Sequence, residues 1–186
     1  KVTDNSPTTP ACINSAMRVR FNMLMDNVSL DSGIELYEKS LVAGPGCVPS
    51  GGIHVWCPVD GDLSTHVSSD QTVATYYPND LLQKNHDYLA IVHETVQSTR
   101  GINLDPLIYN IDFDDDGNLD AYYWPFTTHD QICQVSFVTV DPHPDLFTCS
   151  RSNCPDDING GLAGNQHQFT ATAYDTEGEV LNMSTY

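Results

Sequence analysis

The amino-acid sequence predicts an all-β chain, a β-sandwich followed by part of a second β domain. Three observations carry that reading. Apolar and polar residues alternate in run after run. The runs are short and are separated by Gly, Pro, Asn and Asp turns. No stretch demands a long helix. This pattern is the one expected of sheet packed on sheet.

Residues 1–12 are polar and hold Pro7 and Pro10, so they read as a lead-in or linker. In MRVRFNMLM, Met17, Val19, Phe21 and Met23 share one face, with Arg18, Arg20 and Asn22 on the other, as in a half-buried strand. GIELYEK continues the alternation with Ile34 and Leu36 inward. GPG and CVPSGG punctuate the chain before IHVWCPV, another alternating run. QTVATYYP is the next strand, closed by Pro78. In NDLLQKNHDYLAIVHETVQ the first half allows a short helical turn. Beyond it, Tyr88, Ala90 and Val92 alternate with Leu89, Ile91 and His93, a strand buried in places on both faces. LDAYYWPFTT completes a sandwich over residues 13–128.

After Thr128 the pattern restarts. In CQVSFVTVDPHPDLFTC, Val135, Phe137 and Thr139 share a face, while Val138 and Val140 put apolar bulk on the other; the β-branched content still favours a strand. In HQFTATAYDTEGEVL, Phe169, Ala171 and Ala173 alternate with Thr170, Thr172 and Tyr174, and Asp175-Thr176-Glu177-Gly178 is the hairpin turn. Three strands cannot close a sandwich. Residues 129–186 are therefore expected to be an incomplete second domain, and the chain a piece of a longer tandem array.

The chain of 186 residues carries 25 acidic and 7 basic side chains, a formal charge of -18. Such a surface repels phosphate backbones and has few cations to neutralise them, which excludes nucleic acid as an expected partner. It also argues against docking on an anionic membrane, and no stretch is apolar enough to be expected to insert in one. Six Cys without a C-x-x-C pair read as disulfides, which implies export to the cell surface or the extracellular medium. Cys47/Cys57 and Cys149/Cys154 are close enough to staple local loops, leaving Cys12 and Cys133 by elimination among 15 connectivities.

The order of landmarks resembles the bacterial Ig-like domain first described in surface-layer proteins, over about residues 7–128. The residues carrying the resemblance are Phe21, Met25-Asp26 and Val28-Ser29-Leu30, then Pro78, Leu81, Tyr88, Ile91, Val96, Gly101 and Leu104, and finally Phe126-Thr127-Thr128. VSFVTVDP and HQFTATAYDTEGEVL are similar to the start of an intimin-like bacterial Ig-like domain, over about 129–186. Two features depart from the pattern: the Cys-bracketed insertion 47–57 and the acidic segment 109–120. The resemblance implies an Ig-like fold and a spacer or surface-display role; few members of these families are enzymes.

The densest chemical string is NIDFDDDGNLDAYYW, in which five of the 20 Asp fall within nine residues. Asp112, Asp114 and Asp116 occupy positions 1, 3 and 5 of a calcium-loop pattern, Gly117 position 6, Asn118 position 7 and Asp120 position 9. Calcium takes six to eight hard oxygens, which one tight loop of this spacing can largely supply. Position 12 is Tyr123 instead of the bidentate Glu, so a further ligand has to come from elsewhere. Calcium is thus the expected cofactor, set against a hydrated Asp-Gly turn. Asp60-Gly61-Asp62 and Asp141/His143/Asp145 read first as solvated turns.

Enzyme signatures are weak. HETVQ lacks the second His of a zinc helix and lies on a strand pattern, and no G-x-S-x-G elbow or phosphate-cradling loop is present. Tyr122, Tyr123, Trp124 and the Tyr76-Tyr77 pair read as core or cross-strand packing, with one of each group available for a sugar ring or partner protein. The expectation is a non-catalytic exported module serving as spacer, stalk or adhesin segment, able to assemble into a larger surface array. The alternatives are a module binding carbohydrate or a surface protein, or an accessory domain of an extracellular hydrolase.

Overall fold

A computed structural model describes residues 1–7, 10–49, 52–68, 70–104, 122–141 and 170–183. The elements in order are β1 (Val2–Ser6), β2 (Met17–Phe21), α1 (Asn27–Gly33), β3 (Ile34–Ser40), β4 (Val48–Pro49), β5 (Val55–Pro58), β6 (Gly61–Ser68), β7 (Gln71–Pro78), β8 (Asp87–Val92), β9 (Tyr122–Thr127), β10 (Phe137–Asp141), β11 (Thr170–Tyr174) and β12 (Val180–Leu181).

Among the described residues these strands form three antiparallel sheets, ordered β1-β2-β7-β6, β4-β5-β3-β8-β9 and β10-β11-β12. With β1, β2, β6 and β7 taken as A, B, D and E, the first sheet has the A-B-E-D order of an immunoglobulin sandwich. The second supplies C, F and G as β3, β8 and β9, extended beyond C by β5 and β4. The chain is therefore all-β, and its first two sheets form an Ig-like sandwich.

Inward residues follow the alternation of the sequence. Met17, Val19 and Phe21 meet Ile34 and Leu36, Ala90 and Val92, and Trp124 and Phe126, all buried. Each large apolar side chain removed from water contributes about 1.5–3 kcal/mol. Tyr88 is fully buried at the start of β8, stacks on Phe126 with centroids 5.3 Å apart, and accepts the Gln83 N–H at 2.7 Å. This is the tyrosine corner of Ig-like sandwiches, in which one phenol fixes the strand to the loop before it. Burial pushes its pKa up to about 12.

β8 is also apolar on its other face. Leu89 and Ile91 join Tyr37 in a second cluster, against which Val48, Trp56 and Tyr123 pack. Val48 and Trp56 come from the insertion bracketed by Cys47 and Cys57, which are joined by a disulfide. The insertion thus covers an outer sheet face that would otherwise expose Leu and Ile to water.

One local expectation is corrected, and one element is added. Residues 2–6, read as part of a lead-in, form β1, paired antiparallel with β2 from Val2↔Phe21 to Ser6↔Arg18. An edge strand with one covered face tolerates polar residues, which hid it in the sequence. Residues 27–33, to which the alternating pattern assigns no element, form a short helix. Asp26 caps it, its carboxylate accepting the Ser29 N–H at 2.9 Å, and Leu30 is fully buried.

Candidate functional site

The segment Ala11–Ala16 is the meeting point of the chain's distant parts. The Ala11 N–H donates to Thr127 O at 2.9 Å, Ile13 N–H to Gln131 O at 3.1 Å, and Leu82 N–H to Ile13 O at 2.8 Å. On the other side, Ala16 N–H donates to Val180 O at 2.9 Å and Asn182 N–H to Asn14 O at 2.7 Å. Asn14 is buried, and its amide holds the Cys133 backbone twice: Cys133 N–H donates to Oδ1 at 2.9 Å, and Nδ2 donates to Cys133 O at 3.1 Å. Beside it, Cys12 and Cys133 form a disulfide across 121 residues of sequence. Cross-links closing loops of this length stabilise by roughly 4–5 kcal/mol in the chain-entropy picture. The β10-β11-β12 sheet is therefore bonded laterally to the sandwich.

Cys12, His129 and Cys133 are the one grouping among the described residues with metal-ligand spacing, their ligand atoms lying within 4.8 Å of one another. Its chemistry does not fit a metal. The disulfide occupies both sulfurs. His129 Nδ1 accepts the Gln131 N–H at 3.0 Å, so the neutral ring keeps its proton on Nε2, which stands 3.5 Å from Cys12 Sγ. Of the expected pairings, Cys12–Cys133 and Cys47–Cys57 are formed, while Cys149 and Cys154 lie outside the described residues.

A second polar group lies on the sandwich. Glu35 Oε2 is 2.8 Å from His93 Nε2 and accepts the Tyr37 hydroxyl at 2.7 Å. The His93 hydrogen bond, with that of Tyr37, holds the Glu35 carboxyl below its ordinary value despite partial burial. His93 thus faces a carboxylate on the neighbouring strand; Gln97 instead donates its backbone N–H to the Ser29 hydroxyl oxygen at 3.0 Å.

The expected metal residues Asp112, Asp114, Asp116, Asn118 and Asp120 lie outside the described residues, as do His143 and Asp145. Asp60 and Asp62 are exposed, and Gly61 and Asp62 open β6 instead of forming a turn. Trp124 is buried in the main core, whereas Tyr122 and Tyr123 are half-buried, Tyr123 against the outer cluster. Tyr76 turns toward the core and donates to Val59 O at 2.6 Å, leaving Tyr77 on the outer face.

That outer face of the β1-β2-β7-β6 sheet carries a site the sequence reading did not single out. Arg18 pairs in register with Thr75, and Arg20 with Val73, so both guanidiniums stand on the face away from the core. Thr172 and Tyr174 of β11 lie over it, and the cleft between them has a volume of about 340 Å³. The available signal was two of only seven cations at i and i+2 on one strand face.

The fold defines an Ig-like all-β chain with a laterally attached third sheet. No family model matches it, and no curated protein matches it. Among solved structures, it is similar to the N-terminal part of the bacterial S-layer protein SbsC, at 15% identity and a TM-score of 0.40, covering 98% of this chain and 32% of that one. It is also similar to the S-layer protein rSbsC(31-844), at 14% identity and a TM-score of 0.39, covering 96% of this chain and 19% of that one. The chain therefore spans about a third and about a fifth of those two lengths.

Proposed function

We propose that this chain is a non-catalytic, exported structural module of the cell surface, acting as a spacer or stalk in a larger array. The observation that carries the reading is the Ala11–Ala16 junction, where backbone hydrogen bonds, Asn14 and the Cys12–Cys133 disulfide tie the β10-β11-β12 sheet to the sandwich. A spacer has to transmit position without bending, and lateral bonding at such a junction supplies that stiffness. Disulfides suit an oxidising compartment. An Ig-like sandwich over 13–128 followed by an incomplete second Ig-like domain over 129–186 belongs to this reading. So does calcium held by Asp112, Asp114, Asp116, Asn118 and Asp120, which would neutralise a segment whose carboxylates repel one another.

Small-angle scattering of the chain tests the spacer reading. One rigid body should fit the data at low and high salt. Scattering that requires two independently moving bodies would remove the basis for a spacer. A module that binds carbohydrate or a surface protein is the second reading, and the Arg18/Arg20 cleft is the observation that favours it.

A further inference from the structure

Arg20 is the most informative cation in the chain. It lies half-buried on β2, and its Nε atom is buried without a hydrogen-bond partner. Arg20 makes no side-chain hydrogen bond or ion pair among the described residues, although acids outnumber bases by 25 to 7. A buried guanidinium N–H that is left unpaired costs free energy, and native structures pair such groups with protein, water or ligand.

The surroundings define what would pair it. Arg18 stands beside it on the same face, with Asp4 Oδ2 at a loose 3.9 Å, Tyr174 Oη at 3.5 Å, and the Tyr174 ring centroid 5.8 Å from its Cζ. Phe137 stacks on Tyr174 at 4.8 Å, which fixes that wall of the cleft. His66 adds an imidazole, and the rest of the lining is rich in hydroxyls: Ser64 and Thr75 from the sandwich, Thr139 and Thr172 from the third sheet. A volume of about 340 Å³ is at the small end of ordinary ligand sites, which run from roughly 300 to 1,000 Å³.

Two guanidiniums select a planar carboxylate, which a fork of N–H donors grips at two oxygens. Surrounding hydroxyls select a ligand that itself carries many hydroxyls, because each can both donate and accept. We propose that this cleft binds a sugar acid, with the carboxylate on Arg20 and Arg18 and the ring hydroxyls on the Ser and Thr lining. The same chemistry is presented by a free uronic acid and by a uronic-acid residue of a polymer. The site is independent of the spacer reading, so scattering and ligand binding can fail separately.

The test is a titration of the isotope-labelled chain, followed by nuclear magnetic resonance, with sodium glucuronate, glucose and sodium sulfate in turn at about 0.15 M total salt. Glucuronate should shift the amides of Arg18, Arg20, Val73 and Thr75 together with the Arg20 Nε–H, and glucose should not. Arg20→Gln should weaken glucuronate binding by about tenfold or more. Arg20→Lys, which keeps the charge but loses the fork, should weaken it as well. Arg100→Gln, outside the cleft, should leave it unchanged. An oligogalacturonate bound more tightly than the monomer, through the same amides, would support the site and place its source in a polymer. Equal binding of sulfate and glucuronate, or insensitivity to Arg20→Gln, would overturn the proposal. So would concentration-dependent shifts of these amides without added ligand, which would seat a carboxylate of a second copy there.

Discussion

Asn14 holds the backbone of Cys133 by both ends of its amide, accepting from the N–H at 2.9 Å and donating to the carbonyl at 3.1 Å. Because Asn14 is buried, removing its side chain orphans both backbone groups. Asn14→Ala should therefore cost about 1–3 kcal/mol, beyond a surface change. At this chain length each kcal/mol corresponds to about 2–4 °C in Tm. Calorimetry of the oxidised variant checks this; an unchanged Tm would show that the disulfide alone holds the junction.

The tyrosine corner gives a second expectation. Tyr88→Phe keeps the ring stack on Phe126 and deletes only the acceptor for the Gln83 N–H. The loss should be about 1–3 kcal/mol, with the secondary structure retained by circular dichroism. A neutral substitution would mean that water takes the place of the phenol.

Gly61 opens β6 opposite Pro78, and a Cβ there would lie 2.5 Å from Tyr77 O and 2.6 Å from the Tyr76 ring. Backbone cannot retreat as a flexible side chain can. Gly61→Ala should cost about 1–3 kcal/mol by overpacking, measured by denaturant unfolding.

The dependence on pH has a definite sign. Glu35 lies below its ordinary value of 4.5 because of the His93 hydrogen bond, and Asp87 below 3.8 because of the Lys39 hydrogen bond, then that of Thr127. A carboxyl depressed in the folded state stabilises it above the unfolded value and loses that contribution as pH falls through the folded one. Tm should drop as the solution is acidified from about pH 5 to about pH 3. Glu35→Gln should flatten part of that drop. A Tm that rises on acidification would contradict the assignment.

Calcium binding at Asp112–Asp120 would raise Tm by linkage, about 2.7 kcal/mol of stability at a hundredfold excess over Kd. Asp114→Asn should remove most of the shift. No calcium response in the parent chain would leave the acidic string as a hydrated turn.

Much of the sandwich was legible because a sheet with one buried face writes its period into the chain. Met17, Val19 and Phe21 alternate with Arg18, Arg20 and Asn22, and the burial follows. β1 was not legible, since its residues Thr3 and Asp4 face water and pairing rests on backbone groups. The helix at 27–33 had a signal in Asp26 and Ser29 at cap spacing, masked by the β pattern on either side. The Arg18/Arg20 cleft could not be read locally. Its second wall comes from Thr172 and Tyr174, more than a hundred residues away, and only the folded chain brings the two faces together.

The claim on which the structural reading rests is that the third sheet is bonded to the sandwich at Ala11–Ala16. Amide hydrogen exchange tests it directly. The Ala16 and Asn182 amides, which cross that junction, should be protected to the level of Leu82 and His93, whose N–H groups bond within the sandwich. Exchange of Ala16 and Asn182 at the rate of free peptide amides, with Leu82 and His93 still protected, would contradict it.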